Sequence, residues 1–156
     1  MSKILKEKKL KFDFTLARDA IKFDDDRIPE MKFLKGVDFL IEWDHEIWFV
    51  EVKKPKNVKK MKRMKTKMHL QGKDSFLYLY LNDRIDKDKS LIYYVLIDKE
   101  DISKKSLTFL TEYLNRNVGL ENKDMIKNKY IESASVFNEA TWNKRFNSQC
   151  PVKRIT

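Results

Sequence analysis

Two carboxylates and an ammonium stand at spacings that could place them in one site near residues 36–56. Asp38 opens a segment whose apolar residues recur at every second position up to residue 43, the pattern of a strand. A second apolar run ends in Glu51-Val52-Lys53. Pro55 then stops ladder pairing, because its nitrogen carries no hydrogen to donate. The two carboxylates and the ammonium therefore stand at the open end of a predicted β-hairpin.

The loop length of this hairpin decides whether the charged side chains meet. If residues 44–45 form a two-residue loop, Asp38 lies opposite Glu51, and opposed residues share a face with Cβ atoms about 4.5–5.5 Å apart. Lys53 falls on the same face because it is two residues beyond Glu51. A three-residue loop would instead place Asp38 opposite Val52. We take the two-residue loop as the prediction and keep the longer loop as its alternative.

Two carboxylates this close repel each other unless a cation offsets their charge, and oxygen ligands suit Mg²⁺. A bare Glu-x-Lys is not specific, because the chain contains four copies. Only Glu51/Lys53 ends an apolar strand that is predicted to pair with a strand beginning in Asp. The alternative interpretation is an ordinary amphipathic hairpin whose charges are simply solvated.

These residues resemble the signature of the PD-(D/E)XK nuclease superfamily, the restriction-endonuclease-like fold. The signature has an aspartate at the start of one strand and Glu-x-Lys on the next, here Val37-Asp38 and Glu51-Val52-Lys53. The proline that often precedes the first aspartate is absent. The resemblance implies an α/β fold with an αβββαβ core, in which a mixed central sheet is flanked by helices. It also implies hydrolysis of DNA phosphodiester bonds, in defence, repair or a mobile element.

The resemblance assigns roles to each residue of the motif. Mg²⁺, or Mn²⁺ as a substitute, would be held by Asp38, Glu51 and the backbone carbonyl of Val52. Lys53 would orient or help deprotonate the attacking water and stabilise charge that develops on phosphorus.

Three further residues could complete such a site. In the superfamily an acidic residue from the first helix can add to the metal site. Asp19 is the first candidate and Glu30 the second, although a solvated helix carboxylate is the more ordinary interpretation. Gln71 is a candidate supporting residue from the long helix after the hairpin, with a simple packing role as its alternative.

Basic residues follow the hairpin directly, and the chain has a net charge of +10. We expect the DNA backbone to be bound by these side chains with little sequence specificity: Lys54, Lys56, Lys59, Lys60, Arg63 and Lys73. Lys outnumbers Arg 27 to 7, so a generally Lys-rich surface is the alternative. The corresponding alternative function is a non-catalytic nucleic-acid-binding or interaction module with the same fold. A homodimer or larger complex also fits the resemblance.

The composition narrows the class of protein. With 156 residues and 42% hydrophobic content, the chain is predicted to form one domain, residues 1–156, with residues 1–12 loosely docked. A single cysteine and two histidines argue against a disulfide or a zinc site. No segment is apolar enough for a signal peptide or a membrane span, so we expect a cytoplasmic protein without a membrane partner.

Hydrophobic periodicity predicts the elements that must position the site. Residues 75–81 fit either a strand or a helix, and we choose the helix because a methionine stripe continues through them. The predicted order is a helix at 14–23, a strand at 31–34, the hairpin, a helix at 57–82, a buried strand at 91–97, a helix at 103–117, an edge strand at 134–137, a helix at 138–146 capped by Asn138, and an edge strand at 151–155.

Overall fold

The computed structural model describes residues 3–23, 33–117 and 130–155. Within these ranges it contains eight strands and three helices. In chain order they are β1 (Ile4–Glu7), β2 (Leu10–Asp13), β3 (Asp19–Lys22), β4 (Phe39–Glu42), β5 (Glu46–Lys53), α1 (Val58–Leu81), β6 (Ser90–Ile97), α2 (Lys104–Asn117), β7 (Ile131–Phe137), α3 (Glu139–Phe146) and β8 (Val152–Arg154).

A five-stranded mixed sheet in the order β3-β4-β5-β6-β7 forms the centre of the molecule. β3, β4 and β5 are antiparallel neighbours, whereas β5, β6 and β7 run parallel. Parallel neighbours need a crossover connection, and α1 supplies it between β5 and β6. The chain is therefore an α/β protein with a mixed sheet flanked by helices, as the sequence predicts.

The two faces of this sheet are covered by different layers. On one face α1 and α2 pack on side chains such as Phe49, Tyr93 and Val95. On the other face lie α3 and a small antiparallel sheet in the order β1-β2-β8. Trp48 and Trp142 are fully buried in this second layer. Both faces of β5 and β6 are thus covered, which explains why these strands are almost continuously apolar.

Helix α1 confirms the helical interpretation of residues 75–81. Its N-terminus is capped by Asn57, whose side-chain oxygen accepts a hydrogen bond of 2.9 Å from the Lys60 amide. Met61, Met68 and Tyr78 are buried along its inner face. None of the described helices is long and apolar enough to cross a lipid bilayer.

Several other predicted elements are confirmed. The 91–97 strand, the 103–117 helix, the edge strands and the helix after Asn138 are all present, with bounds shifted by a few residues. Asn138 forms a capping box with Thr141, in which each side chain bonds the other's main-chain amide.

The predicted helix at 14–23 is wrong. Residues 19–22 form β3, which pairs antiparallel with residues 39–42 of β4. The apolar residues of this segment do have helical spacing. However, its pairing with β4 satisfies the main-chain hydrogen-bonding groups along the outer edge of β4, and this long-range pairing outweighs the local helical pattern.

Two further expectations at the N-terminal side need correction. Residues 1–12 are not loosely docked where they are described, because β1 and β2 place Leu10 and Phe12 in the core at 0% exposure. The predicted strand at 31–34 is also wrong in its described half, since residues 33–34 lie in a turn. Residues 31 and 32 lie outside the described residues.

Candidate active site

The β4–β5 hairpin brings the predicted carboxylates together. Trp43 donates its amide hydrogen to the carbonyl of Glu46 at 2.8 Å, which closes the two-residue loop that the sequence predicts. Phe39 pairs with Val50, so one further step along the ladder places Asp38 opposite Glu51. The register prediction is confirmed.

Asp38, Glu51 and Lys53 all face the helix layer, because they alternate with residues that face the small sheet. Glu51 is buried at 2% exposure, while Asp38 and Lys53 are half-buried. A buried carboxylate is costly unless hydrogen bonds or opposite charges compensate it, so the contacts of Glu51 define what the site can hold.

One oxygen of Glu51 is compensated and the other is not. The Lys53 ammonium lies 2.9 Å from Glu51 Oε2. Glu51 Oε1 is buried without a hydrogen-bond donor among the described residues. Asp38 Oδ2 accepts the amide hydrogen of Val52 at 2.7 Å, and its carboxyl also lies within hydrogen-bonding reach of Glu51. Two ionised carboxylates can only accept, so either a shared proton or a cation is required between them.

The electrostatics of Asp38 reflect this arrangement. Burial, followed by the negative charge and the hydrogen bond of Glu51, raises the pKa of Asp38 from 3.8 to about 8. The Val52 amide and the positive charge of Lys8 oppose this rise. In the absence of a metal ion, burial and the charge of Glu51 therefore favour the protonated form of Asp38.

The donor set fits a hard divalent cation. Glu51 Oε1 supplies an unsatisfied oxygen, Asp38 supplies a second carboxylate, and the Val52 carbonyl follows directly after Glu51 in the chain. No group of three or more His, Cys, Asp or Glu side chains is assembled within the described ranges. An ion at this place would therefore complete its coordination with water, as Mg²⁺ commonly does.

The remaining sequence candidates have different outcomes. Asp19 is exposed and pairs with Glu42, four residues along β4 from Asp38, so it is too distant to share an ion with that carboxylate. Glu30 lies outside the described residues. Gln71 does reach the neighbourhood: its Nε2 lies 3.4 Å from the Gly36 carbonyl, a long contact, and its Oε1 is buried without a described partner.

Two residues near the carboxylates are not predicted from the sequence. Tyr93 is fully buried, donates its hydroxyl hydrogen to the Met68 carbonyl at 2.7 Å, and has a raised pKa because of burial and then the charges of Glu51 and Asp38. Lys8 donates from its ammonium to the Val52 carbonyl at 2.9 Å. The sequence does not single out either residue as part of the site: Tyr93 is one residue of an apolar strand, and Lys8 is one of many lysines near the N-terminus.

A basic groove of about 390 Å³ lies where β5 leads into α1. Five cations line it together with Pro55 and Met64: Lys54, Lys56, Lys60, Arg63 and Lys67. Four of these are predicted nucleic-acid contacts, whereas the predicted Lys59 and Lys73 do not line the groove. None of the five forms an ion pair with a carboxylate of the described chain. Lys67 could have been found from the helical period, since residues 60, 63 and 67 recur at three- and four-residue intervals.

Comparison with protein-family models, with curated proteins and with solved structures finds no match. The function is therefore inferred from the contacts of Asp38, Glu51 and Lys53 and from the sequence motif that these residues form.

Proposed function

We propose that this protein is a Mg²⁺-dependent nuclease of the restriction-endonuclease-like class that hydrolyses DNA phosphodiester bonds. The observation that carries the proposal is the buried Glu51 carboxylate, whose Oε1 lacks a described donor and whose Oε2 pairs with Lys53, while the Asp38 carboxyl lies within hydrogen-bonding reach. An ordinary solvated hairpin would leave these charges in water rather than bury one of them.

The order of strands supports the same class. Three antiparallel neighbours, β3, β4 and β5, are followed by the α1 crossover and the parallel strand β6. That order agrees with the βββαβ part of the core that the motif resemblance implies. The helix expected before these strands is replaced by the small sheet and a turn in the described residues.

The chain's own residues divide the work as follows. Asp38, Glu51 and the Val52 carbonyl would hold Mg²⁺, which supplies Lewis-acid assistance and lowers the pKa of water bound to it. The Lys53 ammonium, which lies 2.9 Å from Glu51 Oε2, would orient the attacking water and stabilise negative charge on the phosphoryl oxygens.

The basic groove supplies the substrate contact. Its cations stand just beyond Lys53 along the chain, at the end of α1 that carries partial positive charge. No acidic residue stands in the first turn of this helix, so nothing there offsets the positive potential. Lysine-dominated contacts bind phosphates without reading bases, so we expect DNA binding with low sequence specificity.

The test is plasmid nicking by Lys53→Met, with Lys99→Met as its matched control. Lys99 is also a partly covered lysine that pairs with an acidic residue two positions away, Asp101 at 2.8 Å, rather than with Glu51. We expect Lys53→Met to lower the cleavage rate by about 100-fold or more while DNA binding is retained. Lys99→Met should cleave like the wild type.

Failure of the wild type to nick plasmid with Mg²⁺ or Mn²⁺ at any salt concentration would contradict the nuclease proposal. The second candidate is then a non-catalytic nucleic-acid-binding module. It is favoured by the groove, whose five cations are assembled independently of the acidic pair. Binding whose affinity falls steeply with salt would support that module, and binding that hardly changes would contradict both functions.

A further inference from the structure

The β1–β2 turn delivers a lysine to the acidic pair from a distant part of the chain. Glu7 pairs with Leu10, so Lys8 and Lys9 form a two-residue loop. Lys8 has a φ of 56°, in the left-handed region where a residue with a Cβ is disfavoured and glycine is usual. The turn is held from both sides, because the Lys9 carbonyl also accepts the amide hydrogen of Ile155 at 2.8 Å. Because lysine is disfavoured in this conformation, we expect a contact outside the turn to account for its presence.

The Lys8 side chain bonds the main-chain atom that the proposed metal ion would need. Its Nζ lies 2.9 Å from the carbonyl oxygen of Val52, 44 residues away in the chain. The amide of the same residue donates to Asp38. Both main-chain polar groups of Val52 are thus engaged by charged side chains at the point where β4 no longer extends beside β5.

We propose that Lys8 is a built-in cation that competes with a divalent ion for the Val52 carbonyl and the Asp38–Glu51 pair. This inference rests on the proposed function, because it assumes that the acidic pair binds such an ion. An ammonium and a metal ion cannot both take this position, since they would repel each other and share one carbonyl oxygen. Ion binding then requires the ammonium to withdraw from Val52.

Withdrawal is structurally easy. Lys8 is exposed, and its flexible four-carbon stem can turn the ammonium toward water without moving the strand pairs of β1 and β2. Because the turn keeps Lys8 beside the site, the ammonium stays at high effective concentration and lowers the apparent affinity for the ion.

The experiment measures Mn²⁺ binding by calorimetry, without DNA, for the wild type, Lys8→Met and Lys9→Met. The two variants each remove one ammonium from the same two-residue turn and keep a Cβ at both positions. Only Lys8 bonds Val52, so Lys8→Met should bind Mn²⁺ about ten-fold more tightly than the wild type, while Lys9→Met should stay within about two-fold. Thermal unfolding of all three proteins shows whether the fold is kept. If Lys8→Met unfolds at a lower temperature, Lys8→Gly, which suits the positive φ, replaces it.

Each other result overturns the proposal in a distinguishable way. Equal or weaker Mn²⁺ binding by Lys8→Met than by the wild type shows that Lys8 does not compete, and the metal site itself still stands. An equal gain in both variants shows a general effect of surface charge. Absence of binding in all three proteins removes the metal site and the proposed nuclease with it.

Discussion

At the scale of single residues, Glu51 is the centre of the site because it is the most buried of the charged groups there. Its Oε2 is neutralised by Lys53, whereas its Oε1 has no hydrogen-bond donor among the described residues. A proton between Asp38 and Glu51 can compensate the pair in the free protein, and in the proposed nuclease a metal ion would do so. The raised pKa of Asp38 follows from its burial and then from the negative charge of Glu51.

Asp38→Asn should change the pH dependence of stability. The native Asp38 keeps its proton up to about pH 8, but the unfolded chain loses it near 3.8, so the native state binds more protons between these values. Wild-type stability should therefore fall as pH rises from about 4 to 8. An asparagine can accept from Val52 and donate to Glu51 without titrating, so the variant should become the more stable protein at pH 8.5.

Urea unfolding without metal at pH 4.5 and pH 8.5 checks this prediction. Asp44→Asn serves as the control, because Asp44 is exposed at the hairpin tip and forms an ion pair with Arg18 at 3.7 Å. The prediction fails if the difference between Asp38→Asn and the wild type is the same at both pH values.

At the scale of elements, the site depends on β5 and α1. β5 carries Glu51 and Lys53 on its helix-facing side and pairs over its whole length with β6, which makes it a rigid support. α1 covers that side and also contacts the segment that precedes β4. Ser75 accepts the amide hydrogen of Val37 at 3.0 Å, and Asp74 accepts that of Lys35 at 2.8 Å. The same helix thus holds the backbone beside Asp38 and presents the basic groove.

The groove predicts which lysines of α1 bind DNA. Lys60→Ala/Lys67→Ala should weaken binding of a DNA duplex about equally for different sequences and reduce the salt dependence of log K by about 2, one unit per lost phosphate contact. The matched control is Lys59→Ala/Lys73→Ala, which removes two exposed lysines of the same helix that do not line the groove.

Fluorescence anisotropy over a range of salt concentrations measures both quantities. A similar loss in the two double variants would mean that binding follows the overall charge of the helix rather than the groove. A stronger loss of DNA affinity in the control would show that Lys59 and Lys73 contact DNA, as the sequence predicts.

At the scale of the whole molecule, the small β1-β2-β8 sheet covers the face of the central sheet opposite the site. Trp142 of α3 joins these layers: its ring contacts Phe12 of the small sheet and Trp48 of β5 at nearly perpendicular angles. Its indole nitrogen donates to the Cys150 carbonyl at 2.8 Å. This packing fixes the small sheet, and with it the turn that carries Lys8.

Trp142→Ala should lower the free energy of unfolding by about 3–5 kcal/mol, since it leaves a large cavity and an unpaired carbonyl. Phe109→Ala is the control, because Phe109 is 52% exposed on α2 and should cost far less. Chemical denaturation at one pH measures both values. A loss below about 1 kcal/mol for Trp142→Ala would show that the small sheet is not held through this side chain.

The hairpin, α1 and β6 could be predicted from the sequence alone, because each depends on a pattern of residues that are close together in the chain. A two-residue loop and a period of two decide which residues oppose each other, so Asp38 and Glu51 could be paired without coordinates. The methionine stripe is also a local pattern, and it correctly predicted a helix rather than a strand at residues 75–81. These elements place Asp38, Glu51 and Lys53 correctly.

The tertiary structure decided what depends on neighbours distant in the chain. Residues 19–22 have helical spacing, yet they pair with β4, and this removes Asp19 from the site. Lys8 reaches Val52 only because the small sheet folds against the central sheet, a contact between residues 44 positions apart. No local period encodes such a contact, since it arises from the packing of two layers whose partners are chosen by shape and burial.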